Sequence, residues 1–410
     1  MRIDRDGALH LTYCTNIHAA DGWPAVDANI RRHAPALKRR FAPDRPFGIG
    51  LRLSARDARE LASDDHLGAF RAWLDAEGLY VAVINGFPFG SFHRSVVKAD
   101  VYAPDWRDEA RVTYTLQLID ILSRLLPEGV DGGVSTAPLS YKAWMGADDV
   151  TGWTAVTENV LRVAAELARI RRDRGVFIHL DIEPEPDCSI ETSDETIAFF
   201  ERWLLPIGVP RLAQQLDISD AEARAALFEH VRLCFDCCHF AVEHEDPIQA
   251  LDRLAHAGIQ VGRIQLSSAL CVQMPGDVDA AAQVEARLRP FADSTYLHQV
   301  VTRDGGTLEH FPDLGPALDA RPDGAAEWRI HFHVPLFTRD YEGLGSSQDD
   351  VRRVIQAAAS RPITTHLEIE TYTWDVLPAA LKIDLLESIG REYEWVLEAL
   401  RVEGDVGSKA

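Results

Sequence analysis

The chain has 410 residues, of which 46% are hydrophobic and 26% charged, a composition that can bury a large core and excludes an intrinsically disordered protein. Its 42 lysines and arginines stand against 64 aspartates and glutamates, and the resulting formal charge of −22 repels polyanions. We therefore expect neither nucleic acid nor an acidic membrane surface as a partner.

The amino-terminal residues carry scattered charges and lack the continuous apolar segment of a signal peptide. The sequence also has no apolar run close to the ~18 residues that cross a membrane. These features predict a cytoplasmic protein without direct membrane insertion. The six cysteines do not form the regular framework of a secreted domain, so we expect reduced thiols.

Short apolar and β-branched runs alternate with amphipathic segments of helical length, which is typical of repeated βα units. The predicted strands are His10–His18, Phe47–Ser54, Leu79–Gly86, Gly133–Ser140, Val176–Glu183, Val231–Asp236, Val261–Ser267 and His366–Thr371. Eight such units predict a single α/β domain, a (β/α)8 TIM barrel over residues 1–401, with a flexible tail over residues 402–410.

Capping residues predict where several helices begin and end. One helix is expected to begin after Ser54 and to end at Gly78. Between the fifth and sixth strands, Ile207–His230 predicts two helical pieces with a cap at residues 217–220.

The alternation is broken between the seventh and eighth strands. Tyr296–Arg303 and Thr307–Phe311 flank an Asp-Gly-Gly turn, which predicts a β-hairpin, and Arg329–Phe337 is a further predicted strand. We therefore predict an insertion over the top of the barrel, at about residues 291–337.

Polar side chains stand at the carboxyl ends of the last four barrel strands, where the active sites of TIM barrels lie. The residues at these ends are Glu183, Asp236, Gln265 and Glu370. Neighbouring strands of a closed barrel bring such side chains to one point, and their oxygen atoms suit a divalent ion. The sequence therefore predicts a metal site, although any one of these acidic residues alone is more typical of a helix cap.

Three histidines accompany these ligands. His239 follows Asp236 by three residues, and His331 and His333 face the same way because they alternate along a predicted strand. Each has a structural alternative: His239 can satisfy a loop carbonyl, and the other two can lie on an exposed edge.

The Glu183-Pro184 pair, the Asp236-x-x-His239 motif and Glu370 resemble the signature of the xylose isomerase-like superfamily. That superfamily contains sugar isomerases, ketose 3-epimerases, inosose dehydratases and AP endonucleases of the endonuclease IV type. The segments LTYCTNIH, GLRLS and EIETYTW resemble a narrower group, the EboE-type metabolite traffic proteins.

The superfamily resemblance implies that the four strand-end residues bind one divalent ion. The expected ion is Mn²⁺ or Zn²⁺, and Mg²⁺ and Fe²⁺ are the alternatives. Gln265 stands where a histidine is usual, and its amide oxygen favours Mn²⁺ or Mg²⁺ over Zn²⁺. The endonuclease-like branch further implies a second metal held by His239, His331 and His333. A third metal of that branch needs histidines where this chain has Arg52 and Asn85.

The resemblance favours metal-assisted isomerisation, epimerisation or dehydration of a sugar or cyclitol. Glu183 and Glu370 would serve as ligand and base, and His239 would donate to substrate oxygens. The expected substrate-binding residues are His18, Arg52, Asn85, His333 and Trp374.

Two alternatives remain open at this stage. A two-metal phosphoesterase would act on a small phosphorylated metabolite, and a non-catalytic carrier would keep the metal pocket for binding alone. The EboE resemblance implies a role in making and moving a secondary metabolite. The implied partners are proteins of the same operon, including a membrane prenyltransferase-like protein.

Overall fold

The computed structural model describes residues 1–3, 9–90, 98–292, 295–320, 327–379 and 382–401; the predicted tail at 402–410 lies outside them. Eight parallel strands form one sheet: β1 (His10–Tyr13), β2 (Phe47–Arg52), β3 (Leu79–Asn85), β4 (Gly132–Thr136), β5 (Ile178–Ile182), β6 (Val231–Asp236), β7 (Val261–Leu266) and β14 (His366–Ile369). A parallel bridge between Cys14 and Gly50 joins β1 to β2 and closes the barrel. The predicted (β/α)8 barrel is confirmed, and each predicted run overlaps one of these strands.

Helices follow the strands and bury apolar stripes against them, as α5 does with Val156, Val160, Val163 and Leu167. The α-helices are α1 (Trp23–Phe41), α2 (Ala55–Leu61), α3 (Asp64–Glu77), α4 (Glu109–Leu125), α5 (Val150–Arg174), α6 (Ser193–Phe199), α7 (Leu205–Leu216), α8 (Asp220–His230), α9 (Cys237–Val242), α10 (Pro247–His256), α11 (Val278–Leu288), α12 (Leu314–Ala320), α13 (Gln348–Ser360) and α14 (Leu385–Arg401). Within the described ranges, no helix combines the length and the hydropathy needed to cross a bilayer.

The helix predicted between Ser54 and Gly78 is instead two helices, α2 and α3. Ser54 caps α2 with Asp57 in a capping box, and Gly78 ends α3 with a positive φ of 65°, both as predicted. Ser63 separates the helices because its side chain accepts the His66 backbone N–H and so begins α3. The predicted pair in Ile207–His230 corresponds to α7 and α8, and Ser219 caps α8.

The insertion is an antiparallel sheet rather than a hairpin with one further strand. Its strands are β8 (Ser268–Gln273), β9 (Val300–Asp304), β10 (Thr307–Phe311), β11 (Glu327–Val334), β12 (Asp340–Tyr341) and β13 (Leu344–Ser346), in the order β10-β9-β11-β8-β13-β12. The predicted β9–β10 hairpin is confirmed, with Asp304 opposite Thr307. The sheet has its own apolar core, which includes Phe291, Trp328 and Phe332.

A charged cluster fills the middle of the barrel. Arg263 is fully buried, and its guanidinium contacts Asp181 Oδ2 at 3.2 Å and Glu368 Oε2 at 3.0 Å. Glycines on β2 and β7 make the room: a Cβ at Gly50 would lie 1.7 Å from Glu368 Oε1, and one at Gly262 would lie 1.9 Å from Asp181 Oδ1. The interior therefore depends on this ion cluster as well as on apolar packing.

We predict that Arg263→Met destabilises the protein by about 3–5 kcal/mol, because it leaves two buried carboxylates without their cation. Urea unfolding followed by circular dichroism measures the change. Arg169→Met, which removes a partly exposed arginine 3.4 Å from Glu166, is the matched control and should cost less than about 1 kcal/mol. Equal losses in the two variants would contradict this account of the core.

Candidate metal centre

The four predicted metal ligands lie together at the carboxyl end of the barrel and are buried. The Gln265 side-chain amide lies 2.8 Å from Glu183 Oε1 and 3.0 Å from Asp236 Oδ2. Turning the amide makes its nitrogen a donor to both carboxylates, whereas the opposite orientation places its oxygen against two acceptors. Adjacent ligands of an octahedral ion with bonds of 2.0–2.1 Å are about 3 Å apart, so the amide lies at ligand spacing from both carboxylate oxygens.

Local backbone structure fixes the position of Asp236. The residue ends β6 and caps α9, and its Oδ1 accepts the Cys238 N–H at 2.8 Å, the His239 N–H at 3.2 Å and the Ser267 hydroxyl at 2.6 Å. These bonds leave Oδ2 facing Gln265. The cap also places His239 in the first turn of α9, above the same site.

Glu370 is held from two sides. Asn16, just beyond β1, donates to its Oε1, and His333 Nδ1 lies 2.6 Å from its Oε2. The same Nδ1 lies 2.9 Å from the Glu370 carbonyl oxygen. Strand β11 of the inserted sheet therefore contributes a side chain to the barrel site.

His239 and His331 face each other with their Nε2 atoms 3.1 Å apart. His239 Nδ1 donates to the Pro184 carbonyl at 2.8 Å. His331 Nδ1 donates to Gln299 Oε1 at 2.8 Å, and the Gln299 amide is fixed because its nitrogen donates to the Tyr102 hydroxyl and the Pro186 carbonyl. Both Nε2 atoms of the neutral rings are then lone-pair acceptors, so their approach needs a shared proton or a cation.

A shared proton is disfavoured at this pair. Burial, together with His239 and His333, holds the pKa of His331 well below its usual range. Burial also lowers the pKa of His239. Histidines that bind metals donate their other N–H to a carbonyl or carboxylate, as both do here. Ligand atoms of Glu185, His239 and His331 lie within 4.8 Å of one another, as do those of Asp236, His239 and His333.

The carboxylates themselves fit a cation. Burial and then the charges of Asp236, Glu370 and Glu185 raise the pKa of Glu183 well above its usual range. Among the described residues, Glu183 Oε2 is buried and has no hydrogen-bond partner. A buried carboxylate oxygen without a donor is costly, and a divalent ion would satisfy it while offsetting the mutual repulsion.

A cavity of about 50 Å³ opens over these residues, several times the ~10–15 Å³ that one water needs. Aromatic rings form much of its wall: Phe87, Tyr102, Tyr296 and Tyr372. Lys98 is the lysine among its lining residues, and its Nζ bonds the Tyr296 carbonyl and Asp313 Oδ2 at 2.6 Å each.

The predicted substrate-binding residues divide into two groups. Asn85 and His333 line the cavity. Arg52 is buried beside it and donates to the Gly90 carbonyl at 2.8 Å. His18 and Trp374 line a separate groove next to α1 and α14, so the structure does not bring them to the metal ligands.

Sequence reasoning missed several residues of the site. Glu185 is buried, faces the cavity and accepts the Tyr102 hydroxyl at 2.7 Å. Burial raises its pKa to about 8. The signal was the Glu-Pro-Glu spacing after β5, since Glu185 follows Glu183 by two residues. No comparable pattern pointed to Asn16, or to Cys238, whose sulfur lies within 4.8 Å of ligand atoms of His331 and His333.

The chain matches no protein-family model and no curated protein. Among solved structures, a xylose isomerase domain protein from Planctomyces limnophilus is 12% identical over 97% of this chain and 98% of that one, with a TM-score of 0.51. A xylose isomerase-like TIM-barrel protein from Mycobacterium smegmatis in complex with magnesium is 14% identical over 96% and 97%, with a TM-score of 0.48. A D-tagatose 3-epimerase-like protein is 10% identical over 97% and 99%, also at 0.48.

At this identity the Planctomyces limnophilus structure establishes the fold alone. The chain has a TIM-barrel fold similar to that of this xylose isomerase domain protein, with an added antiparallel sheet, and membership of the superfamily stays a prediction. The narrower resemblance to EboE-type proteins stays a prediction.

We predict that Mn²⁺ stabilises chelator-treated protein and that Glu183→Gln reduces this effect, since the amide carries no charge. At a free ion concentration of 100 times Kd the gain is about 2.7 kcal/mol, visible as a rise in Tm by differential scanning fluorimetry. Glu166→Gln, on the outer helix α5, should behave as wild type. A Tm that no divalent ion changes would exclude the metal centre.

Proposed function

We propose that the chain is a divalent-metal-dependent enzyme that isomerises, epimerises or dehydrates a sugar or cyclitol. The observation that carries this proposal is the convergence of the Glu183 and Asp236 carboxylates on the Gln265 amide below an aromatic-walled cavity. Barrels of this fold place their chemistry at that end of the strands.

The proposed ligands are Glu183, Asp236, Gln265 and Glu370. When bound there, a divalent ion polarises a substrate carbonyl and its neighbouring hydroxyl, which makes the C–H between them more acidic. The predominance of oxygen donors supports Mn²⁺ or Mg²⁺, while Zn²⁺ and Fe²⁺ remain candidates.

The proton-transfer groups are proposed to be carboxylates on the cavity wall. Glu185 suits a general acid or base, because its raised pKa lies close to neutral pH and its Oε2 has no hydrogen-bond partner among the described residues. Glu370 faces the cavity from the end of β14, held by Asn16 and His333. Glu183 and Glu370 are thus proposed to keep the roles of ligand and base predicted from the sequence. Glu185 is a further carboxylate proposed to transfer protons.

His239 is proposed to act on substrate oxygens. Its Nδ1–H is committed to the Pro184 carbonyl, so its Nε2 does not donate to a substrate oxygen as the sequence predicted but accepts a proton from a substrate hydroxyl or binds a cation. The aromatic wall supports a ring-shaped polyol, whose C–H faces pack on aromatic rings while its hydroxyls reach Asn16 and Asn85. The EboE resemblance supports a cyclitol or sugar intermediate of secondary metabolism, with other proteins of the pathway as partners.

A second candidate function is a two-metal phosphoesterase acting on a small phosphorylated metabolite. The facing Nε2 atoms of His239 and His331 favour it, because a second ion between them would lie beside the first. The formal charge of −22 disfavours a nucleic-acid backbone as the substrate.

We predict that Mn²⁺-loaded protein incorporates deuterium from D₂O at the carbon next to the carbonyl in one member of a panel of ketoses, aldoses and inososes, followed by NMR. Glu185→Gln should slow this exchange by about 10²–10⁴, the usual contribution of a general acid or base. The exposed Glu201→Gln serves as the control and should leave the rate unchanged.

The result also separates the two candidate functions. No exchange with any member of the panel, combined with Mn²⁺-dependent hydrolysis of sugar phosphates that His331→Ala abolishes, would replace the isomerase proposal with the phosphoesterase. Exchange that survives in Glu185→Gln would remove Glu185 from the mechanism.

A further inference from the structure

A second group of metal-ligating side chains lies outside the candidate metal centre. Asp187 and Glu191 belong to the loop after β5, and His310 stands on β10 of the inserted sheet. One ligand atom from each of the three lies within 4.8 Å of the other two. None of these residues belongs to the site described above.

Glu243, at the end of α9, adds a fourth group. Its side chain is 2% exposed, and its Oε2 lies 3.9 Å from His310 Nε2. Its Oε1 is buried and has no hydrogen-bond partner among the residues that the structure describes. Burial and then the charge of Glu191 raise the pKa of Glu243 to about 9. A buried carboxylate next to other carboxylates has this property when no cation compensates it.

The charge around this group is unbalanced. Lys142 bonds Glu191 Oε1, and its Nζ also lies 3.0 Å from Glu195 Oε1, so this lysine is shared between two glutamates. Asp187 and Glu243 add two more carboxylates to the same cluster. One lysine therefore faces four acidic side chains, and every carboxylate oxygen can accept more than one bond.

We propose that Asp187, Glu191, Glu243 and His310 form a separate divalent-cation site that fastens the inserted sheet to the rim of the barrel. Carboxylates with one imidazole suit Mn²⁺ or Zn²⁺. This site does not depend on the proposed reaction, because no ligand is shared with the candidate metal centre.

Binding there would fix one wall of the cavity. The loop of Asp187 also carries Glu185, and α9 also carries His239. Strand β10 pairs with β9. Gln299, which accepts a hydrogen bond from His331, directly precedes β9. An ion bound by the loop after β5, the end of α9 and β10 would fix the positions of these side chains without contacting a substrate.

The test uses the full chain with Mn²⁺ as the probe. Protein treated with chelator is dialysed against Mn²⁺, and the bound ions per chain are measured by inductively coupled plasma mass spectrometry. The variants are His310→Ala and Glu243→Gln, with His256→Ala, an exposed histidine on α10, as the matched control. Circular dichroism verifies that each variant is folded; Glu243→Gln keeps the size of the side chain in case the truncation disturbs the hairpin.

We expect both variants to bind one ion fewer per chain than the control. The same loss should occur in a Glu183→Gln background, so this result stands even if the candidate metal centre proves empty. Unchanged Mn²⁺ stoichiometry in folded His310→Ala and Glu243→Gln would overturn the proposal.

Discussion

The inside of this barrel depends on the ion pairs of the Arg263 guanidinium. The guanidinium joins Asp181 on β5 to Glu368 on β14, and it also donates to the Ile84 and Gly133 carbonyls at 2.9 and 2.7 Å. Five strands thus meet at one buried cation, β3, β4, β5, β7 and β14. Because the desolvation of these charges is costly, the cluster is tolerated only while every partner is present.

Three of these strands, β5, β7 and β14, also lead to ligands of the site directly above this cluster, and β6 adds Asp236. Side chains two residues apart on a strand point the same way. Toward the carboxyl end of the barrel, Glu183 therefore lies above Asp181, Gln265 above Arg263, and Glu370 above Glu368. The ion cluster joins the strands that carry these upper side chains. The inserted sheet completes the site from above, since β11 brings His331 and His333 over the barrel end.

Much of the fold followed from local patterns. Alternating apolar runs and amphipathic segments predicted the eight strands, and an Asp-Gly-Gly turn predicted the β9–β10 hairpin. Ser63 was overlooked as a helix cap because the apolar spacing continues across it, so one helix was expected where α2 and α3 occur. The six-stranded extent of the insertion was missed because β12 and β13 have only two and three residues, too few to show a period, and because β8 starts two residues after β7 ends.

The sequence by itself determined which side chains stand at the strand ends, since the order of runs in a closed parallel barrel brings those ends to one face. It therefore predicted Glu183, Asp236, Gln265 and Glu370 as neighbours. Only the tertiary structure decided which residues join them: Glu185 turns into the cavity, Asn16 reaches Glu370, and His18 and Trp374 lie in another groove. These outcomes depend on loop paths and on contacts between distant segments, which no local spacing encodes.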